Sequence, residues 1–445
     1  MAIDTFHPSY STYSPDWLIL RDCYAGETIV KSRGQKYLPP TQGMILDGMQ
    51  RNEVGFQMYE AYKLRAVWHD LFKEAVEAYI GLLHQKPPQI SLPEKMKGIR
   101  SNHGETLDQL LRRINEEQLV TGRVGLLTDL PVTPNPANPL PYIAMYSAEA
   151  VRNWGDGGNE AAPTRLSYVI LDETGYEPDP SDQFGWVNSV SYRVCVLDGN
   201  VYKTGLFKVV GSGSPTFSTA ALNTPMMRGT AMVDIPFTFV NNKDLLSSPD
   251  YAPMLGLAKA MIAIYRGEAD YRQNLFMQGQ DTLVTIGGIL RRDPTNPDAP
   301  LRTGAGSRID MEQGGDAKYI GVNSSGLPEQ RQALAHDQQQ AEVRAGQLIN
   351  ARVGDKESGE ALKTRLAAQT ATLKQIALTG GAGLEAQLKF AAIWMGENPD
   401  EIKVEPNEEF SSTLVTGQDA FQLMQAKDLG LPISYESIHA YMVDR

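Results

Sequence analysis

The chain has 445 residues, 41 basic against 53 acidic side chains and a formal charge of −12. That is length enough for two or three subdomains, and the wrong charge for a tight, sequence-independent grip on nucleic acid. Cys23 and Cys195 lie far apart with no CxxC, which argues against a disulfide framework or a thiolate zinc site and suits buried thiols in a reducing cytosol.

No segment approaches ~18 uninterrupted apolar residues, and the opening MAIDTFHPSYSTY lacks the basic and apolar blocks of a signal peptide, so neither a membrane span nor export is expected. From Arg51 to about Leu83 the apolar residues Leu64, Val67, Leu71, Phe72, Val76, Tyr79 and Leu83 recur at three and four. The spacing predicts one amphipathic helix that stops before Pro87 and Pro88. Leu107, Leu110, Leu111 and Ile114 repeat the pattern. Residues 142–210 change to period two, with LSYVILDE and NSVSYRVCVL, and Asp198-Gly199 turns the chain into NVYKTGLFKVV as a hairpin. A small β module is expected there.

Helical spacing returns with Leu255, Ala258, Ile262, Tyr265, Ala269, Arg272 and Phe276, ending near Gly279. Between Gly287 and Pro328 the text is rich in Gly, Pro, Asp and Asn and too long for a simple connection, so a separate module or functional loop is expected. Residues 329–350 read as a helix with six glutamines and four alanines but only Leu334, Val343, Leu348 and Ile349 as large apolar residues. At ~25 cal/mol per Å² such a helix buries too little to anchor alone, and packing beside copies of itself is the expected remedy. Residues 360–394 carry a stripe of Leu362, Leu366, Leu373, Ile376, Leu384, Leu388 and Ala391, and Gly380, Gly381 and Gly383 predict a kink or break in its middle. From Glu397 to Arg445 ten acidic residues face three basic ones, a tail that repels phosphate.

Motifs that would carry chemistry are incomplete. In GDKESGEALKTR, Gly354 and Gly359 have P-loop spacing, but Glu360 and Ala361 stand where a lysine must reach the phosphates and a hydroxyl must hold magnesium. GSGSP at 211–215 has Pro215 in place of the last glycine of a nucleophile elbow. His7, His69, His84, His103, His336 and His439 are far apart in sequence, with no metal-ligand spacing. Asp172 and Glu173 are adjacent acids, a general acid and base in principle, but neighbours on a strand point to opposite faces. Arg291, Arg292, Arg302 and Arg308 interleave with Asp293, Asp298 and Asp310, either as a solvated loop or as a rim that meets a charged partner.

Taken in order, these elements resemble the bacteriophage portal proteins, the ring-shaped head-to-tail connectors of tailed phages. The resemblance is carried by DIPFTFVNN (234–242), the following helix with YRGEADYRQN, the Gly/Pro-rich insertion, a second helix, and ESGEALKTR opening a Gly-interrupted helix. The N-terminal WLILRDCYAGETIVKSRGQKYLPP is similar to one branch of the family. The resemblance implies an α+β, mainly helical, ring-forming chain: a wing at 1–252 with a small β-rich module, a first stem helix and connection at 253–287, and a β/loop clip at 288–327. A second stem helix at 328–349, a tunnel loop at 350–358, a long kinked helix crossing the wing at 359–396 and an acidic crown at 397–445 complete it.

It further implies a dodecamer at one capsid vertex, assembled in the host cytoplasm and passing double-stranded DNA during packaging and ejection. The partners implied are the terminase large subunit, the head-tail adaptor, the major capsid protein and the scaffold. Arg352, Gly354, Asp355, Lys356 and Glu357 would face DNA, and Arg291, Arg292, Arg302 and Arg308 would dock motor and adaptor. No catalytic residue, metal or cofactor is expected. Gly354 then serves a tight loop, Ser358 an N-cap and Glu360 the first helical turn. The alternative is an acidic intracellular enzyme, such as a glycoside hydrolase, working through carboxylates that the sequence does not pair.

Overall fold

The computed structural model describes residues 3–131, 140–155, 165–179, 181–208, 218–279, 282–286, 289–290, 310–311, 313–320, 326–346, 359–408 and 410. Its helices among these are α1 (Pro8–Ala25), α2 (Glu27–Ser32), α3 (Gln42–Leu46), α4 (Val54–Arg65), α5 (Leu71–Leu83), α6 (Leu107–Thr121), α7 (Leu255–Gln278), α8 (Leu327–Gly346) and α9 (Gly359–Met395). With several small separate sheets beside them, the fold class is α+β, as expected. The chain divides into two compact units, one of Met1–Tyr24, Phe72–Gly256 and Arg344–Arg445, the other of Ala25–Leu71 and Leu257–Val343.

In the first unit, α6 opens with a capping box: the Thr106 hydroxyl accepts from the Gln109 amide and the Gln109 side chain accepts from the Thr106 amide. It ends at Gly122, whose φ of 82° suits glycine and whose Cα passes so close to Ala252 that a Cβ would meet that backbone at 3.0 Å. The strand Arg123–Asp129 follows, with all seven residues buried. It lies between Phe237–Asn241 and Tyr142–Ser147, antiparallel to both, and Arg100–Ser101 adds a parallel edge beyond Tyr142–Ser147. Leu110, Leu111 and Ile114 of α6, Val124, Leu126 and Ile143 of the sheet, and Leu384 and Leu388 of α9 form one core.

A second sheet runs Val201–Lys208, Ser191–Asp198, Tyr168–Asp172, Val151–Gly155, all antiparallel. Its hairpin turns at Gly199 and Asn200, with φ of 60° and 63°, the left-handed pair a two-residue type I′ turn requires. Trp154, Val169, Leu171, Cys195 and Tyr202 pack with Phe237, Phe239 and Trp394 in its core. Cys23 and Cys195 are both buried, and burial pushes their thiols up to about 12 and about 11.

The long final helix departs from expectation. α9 runs unbroken through Gly380, Gly381 and Gly383. These glycines are points of close approach: a Cβ at Gly383 would fall 2.3 Å from Val240 Cγ2, one at Gly380 2.4 Å from Asn115 Nδ2, and one at Gly381 3.1 Å from Pro406 Cδ. Packing against α6 and the strand Phe237–Asn241 therefore outweighs the ~1 kcal/mol each glycine costs a helix relative to alanine. Of the expected stripe, Leu373, Ile376, Leu384, Leu388 and Ala391 are fully buried. The first residues of the acidic tail join the same unit, with Lys403–Glu405 pairing antiparallel to Gln89–Ser91 and Ile402 and Val404 in the core.

A second departure concerns residues 51–83, which form two helices rather than one. Ala66 takes extended angles (φ −60°, ψ 136°) and closes α4. Leu64, counted in the apolar stripe, is 72% exposed. In the break, Trp68 donates its indole N–H to Asp70 Oδ1 at 2.7 Å and meets the edge of Tyr265 at 5.9 Å. An aromatic contact with a residue almost two hundred positions later thus overrides a locally continuous period.

The second unit holds α3, α4, most of α7 and most of α8, with two small ladders, Thr282–Ile286 with Asp316–Ile320 and Ile289–Leu290 with Asp310–Met311. α3 and α4 approach so closely at Gly55 that a Cβ would meet the Met44 carbonyl oxygen at 2.0 Å.

Candidate functional site

Arg352, Gly354, Asp355, Lys356 and Glu357 lie outside the described residues, as do Arg291, Arg292, Arg302, Arg308, His439 and the GSGSP segment. The flanks of both predicted segments are described. α8 ends at Gly346 and α9 begins at Gly359, and the two short ladders enclose residues 291–309 in sequence.

In the second unit, the described helices next to these segments in sequence are α7 and α8. Their contact is sparse and mostly polar. Leu334 of α8 seats against Gly267 of α7, where a Cβ would fall 2.8 Å from Leu334 Cδ2, so the glycine makes room for the one large apolar residue that α8 buries. Asn274 Nδ2 donates to Gln330 Oε1 at 3.1 Å. Gln338 Nε2 lies 3.0 Å from His69 Nε2 and 3.4 Å from Glu268 Oε1, and Glu268, nearly buried, also holds Arg272 at 3.1 Å. On α4, Tyr62 donates to Asp270 at 2.5 Å, while Arg65 donates to Gln273 at 2.5 Å and stacks 4.0 Å over Phe276.

Among its described side chains α8 buries only Leu334 and Ala341. The glutamine-rich face is open, and Tyr271, Gln278, Leu327, Arg331 and Ala335 line a shallow groove beside it. At the end of α7, Leu275, Phe276 and Met277 remain close to 40% exposed. A pair with so little apolar closure, ending in exposed large apolar residues, is suited to association rather than to enclosing a small substrate.

The acids weighed for catalysis are engaged elsewhere. Asp172 Oδ2 is 2.9 Å from Arg152 Nε. Glu173 accepts from Arg193 Nε at 2.5 Å and from the Tyr146 hydroxyl at 2.6 Å, and Arg193 also reaches Asp129 Oδ2 at 2.8 Å. Burial raises the Asp129 carboxyl even though Arg193 pulls it down, and burial with Glu173 drives the Tyr146 phenol well above its usual value. Two of the described histidines are likewise structural: His7 stacks on Trp154 at 4.0 Å, and burial lowers the pKa of His84, which meets Asn115 Oδ1 at 2.9 Å.

What the sequence did not suggest is the polar knot at the end of DIPFTFVNN. Asn241 Nδ2 donates to Asp244 Oδ1 and to the carbonyls of Leu246 and Ser248, each at 2.9 Å. Gln118 donates to the Asn241 carbonyl at 2.8 Å and Thr379 to the Asn242 carbonyl at 3.3 Å. Arg123, fully buried, is stacked 3.9 Å from Phe239 and 4.6 Å from Trp154 and donates to the Ser247 carbonyl at 2.6 Å. These bonds fix the loop that feeds α7, which gives Asn241 and Asn242 a structural reason.

A family model described as a domain of unknown function (DUF4055) matches residues 253–395, which begins just before α7 and ends on the last residue of α9. No curated protein matches the chain. Among solved structures, the chain is similar at 14% identity to one in the "Virion of native gene transfer agent (GTA) particle", over 85% of this chain and 91% of that one, with a TM-score of 0.42.

Proposed function

We propose that this chain is a phage portal protein, a structural subunit that forms a ring at one capsid vertex, passes DNA inward during packaging and outward at ejection, and docks the packaging motor and then the tail adaptor. The observation that carries the reading is α8. It follows α7 and a strand-paired insertion, precedes α9, and buries only Leu334 and Ala341 among its described side chains. Twenty helical residues with so little covered surface gain their burial from neighbouring copies. In this reading residues 350–358 face DNA and the arginines at 291, 292, 302 and 308 meet the motor and the adaptor. A subunit charge of −12 keeps the channel from holding phosphate. Nucleotide hydrolysis belongs to the motor, since Glu360 and Ala361 replace the phosphate- and magnesium-binding pair of a P-loop. The acid pair of the enzymatic alternative, Asp172 and Glu173, is held by Arg152 and Arg193.

Negative-stain images of the purified chain test this directly. Rings with a central hole are expected, and compact monomers at every concentration would overturn the reading. Deletion of residues 353–357 is then expected to leave the rings intact and to lower the DNA packaged or retained in particles assembled from them. Unchanged DNA content would remove the tunnel assignment while leaving the ring.

A further inference from the structure

The first unit carries an excursion that the ring reading does not use. The short strands Gly175–Pro178 and Trp186–Ser189 pair antiparallel, with Tyr176 opposite Asn188 and Pro178 opposite Trp186. Because facing residues share a face and neighbours alternate, Tyr176, Pro178, Trp186 and Asn188 lie on one side, and all four are exposed. Tyr176 is 74% exposed, Trp186 67% and Phe184, in the connecting turn, 85%. The opposite face is tied down: Glu177 takes Lys208 Nζ at 2.6 and 2.8 Å. The turn is ordered from within, with Ser181 N and Oγ donating to Asp179 Oδ1, Phe184 N donating to Asp182 Oδ1, and the Gly185 carbonyl accepting from the Asp179 amide at 2.9 Å. The aromatic face is thus presented in a set geometry and left uncovered.

Charge narrows what can cover it. From Glu173 to Tyr192 there are four acidic residues and no lysine or arginine. Glu173 and Glu177 are neutralised by Arg193 and Lys208, while Asp179 and Asp182 at the turn meet no cationic side chain among the described residues. An aromatic face rimmed by two uncompensated carboxylates repels phosphate, and with it both nucleic acid and anionic lipid. It favours guanidinium and ammonium groups, which stack on the rings and pair with the acids.

We infer that this hairpin docks an arginine- or lysine-bearing segment of another protein, with Tyr176 and Trp186 as stacking surfaces and Asp179 and Asp182 as ion-pair acceptors. The inference rests on the hairpin alone and stands whether or not the chain forms rings. Trp186 provides the readout, because Trp17, Trp68, Trp154 and Trp394 are all buried. The full chain is titrated with hexa-arginine while tryptophan emission and its quenching by acrylamide are followed, and with labelled hexa-arginine while anisotropy is followed. A saturable change in emission with protection from acrylamide is expected, and the anisotropy midpoint should weaken at least fivefold in Tyr176→Ala and in the double variant Asp179→Asn/Asp182→Asn. Tyr176 and Asp182 are exposed and Asp179 is half-buried, and circular dichroism verifies that the variants remain folded. Binding that leaves Trp186 emission unchanged, or that both variants retain in full, is attraction to an acidic protein only and overturns the inference. So does an equal response to duplex DNA or to phosphatidylglycerol vesicles, or a Trp186 signal that changes with protein concentration alone, which would assign the face to a second copy of this chain.

Discussion

Gly383→Ala is expected to destabilise the protein by about 1–3 kcal/mol, the range for forcing an extra methyl into a packed core. The sign makes the test informative, because alanine in a helix interior is better than glycine by about 1 kcal/mol. The new Cβ would lie 2.3 Å from Cγ2 of Val240, a short, fully buried side chain in the strand Phe237–Asn241 whose β-branching restricts its χ1 freedom. Gly381→Ala, where the nearest atom is Pro406 Cδ at 3.1 Å, should cost less. Urea midpoints of the two variants measure the order, and Val240→Ala in the Gly383→Ala background should recover part of the loss as a positive coupling. A Gly383→Ala midpoint equal to or above the parent's would mean that the glycines serve flexibility and not contact.

Arg193→Met should cost more, about 3–5 kcal/mol, because it leaves two partly desolvated carboxylates without their cation. Asp129 has a side chain 6% exposed and Glu173 one 23% exposed, and Arg193 is the cation that touches both. The loss should depend on pH. Burial already raises the Asp129 carboxyl above its usual value with Arg193 present, and Arg193 is the first of the influences holding it down. Without the guanidinium the folded-state pKa rises further. A carboxyl raised on folding contributes its stability fully below the unfolded value and loses it as pH climbs through the folded one, so the deficit is largest at neutral pH and shrinks on acidification. Chemical denaturation at pH 7.5 and pH 5.5 checks this, with the smaller difference from the parent expected at pH 5.5. Equal deficits at both values would show that lost packing of the arginine stem, and not the stranded charge, sets the cost.

Periodicity located what local chemistry controls. α7 lies where apolar spacing placed it, within a few residues at each end, α6 carries the expected apolar spacing, and the hairpin expected at Asp198-Gly199 turns one residue on, at the left-handed pair Gly199 and Asn200. Elements set by distant partners were harder to read. The strand Arg123–Asp129 is buried on both faces, so RVGLLTD carries no alternation to betray it. α1 contains Pro15 and a polar opening, and its reason to be helical, the burial of Trp17, Leu20 and Cys23 on one side, depends on surfaces supplied by the rest of the chain. Gly380, Gly381 and Gly383 announced a weak point when read locally and are contact points when read in space. As for the candidate site, the sequence suggested a helix too polar to stand alone, and α8 is such a helix. It could not suggest that Gly267 would receive Leu334, since a glycine's lack of a side chain has meaning only beside its partner.

The pairing of Gln89–Ser91 with Lys403–Glu405, and the bond from Asn407 Nδ2 to the Leu82 carbonyl 325 residues earlier, bear on how the chain is made. At about 5–20 residues per second, a ribosome releases Arg123–Asp129 many seconds before α9 exists to cover it. The first unit therefore cannot close while its middle is emerging. It waits with an apolar sheet half assembled, through the synthesis of Leu257–Val343 of the second unit, and its last contacts form only when residues 344–445 arrive. Ordering by such long-range closure is slow. Because α9 supplies Leu384 and Leu388 to the core, a chain truncated just before α9 is expected to aggregate rather than to give a smaller folded protein, which sedimentation of the expressed fragment checks.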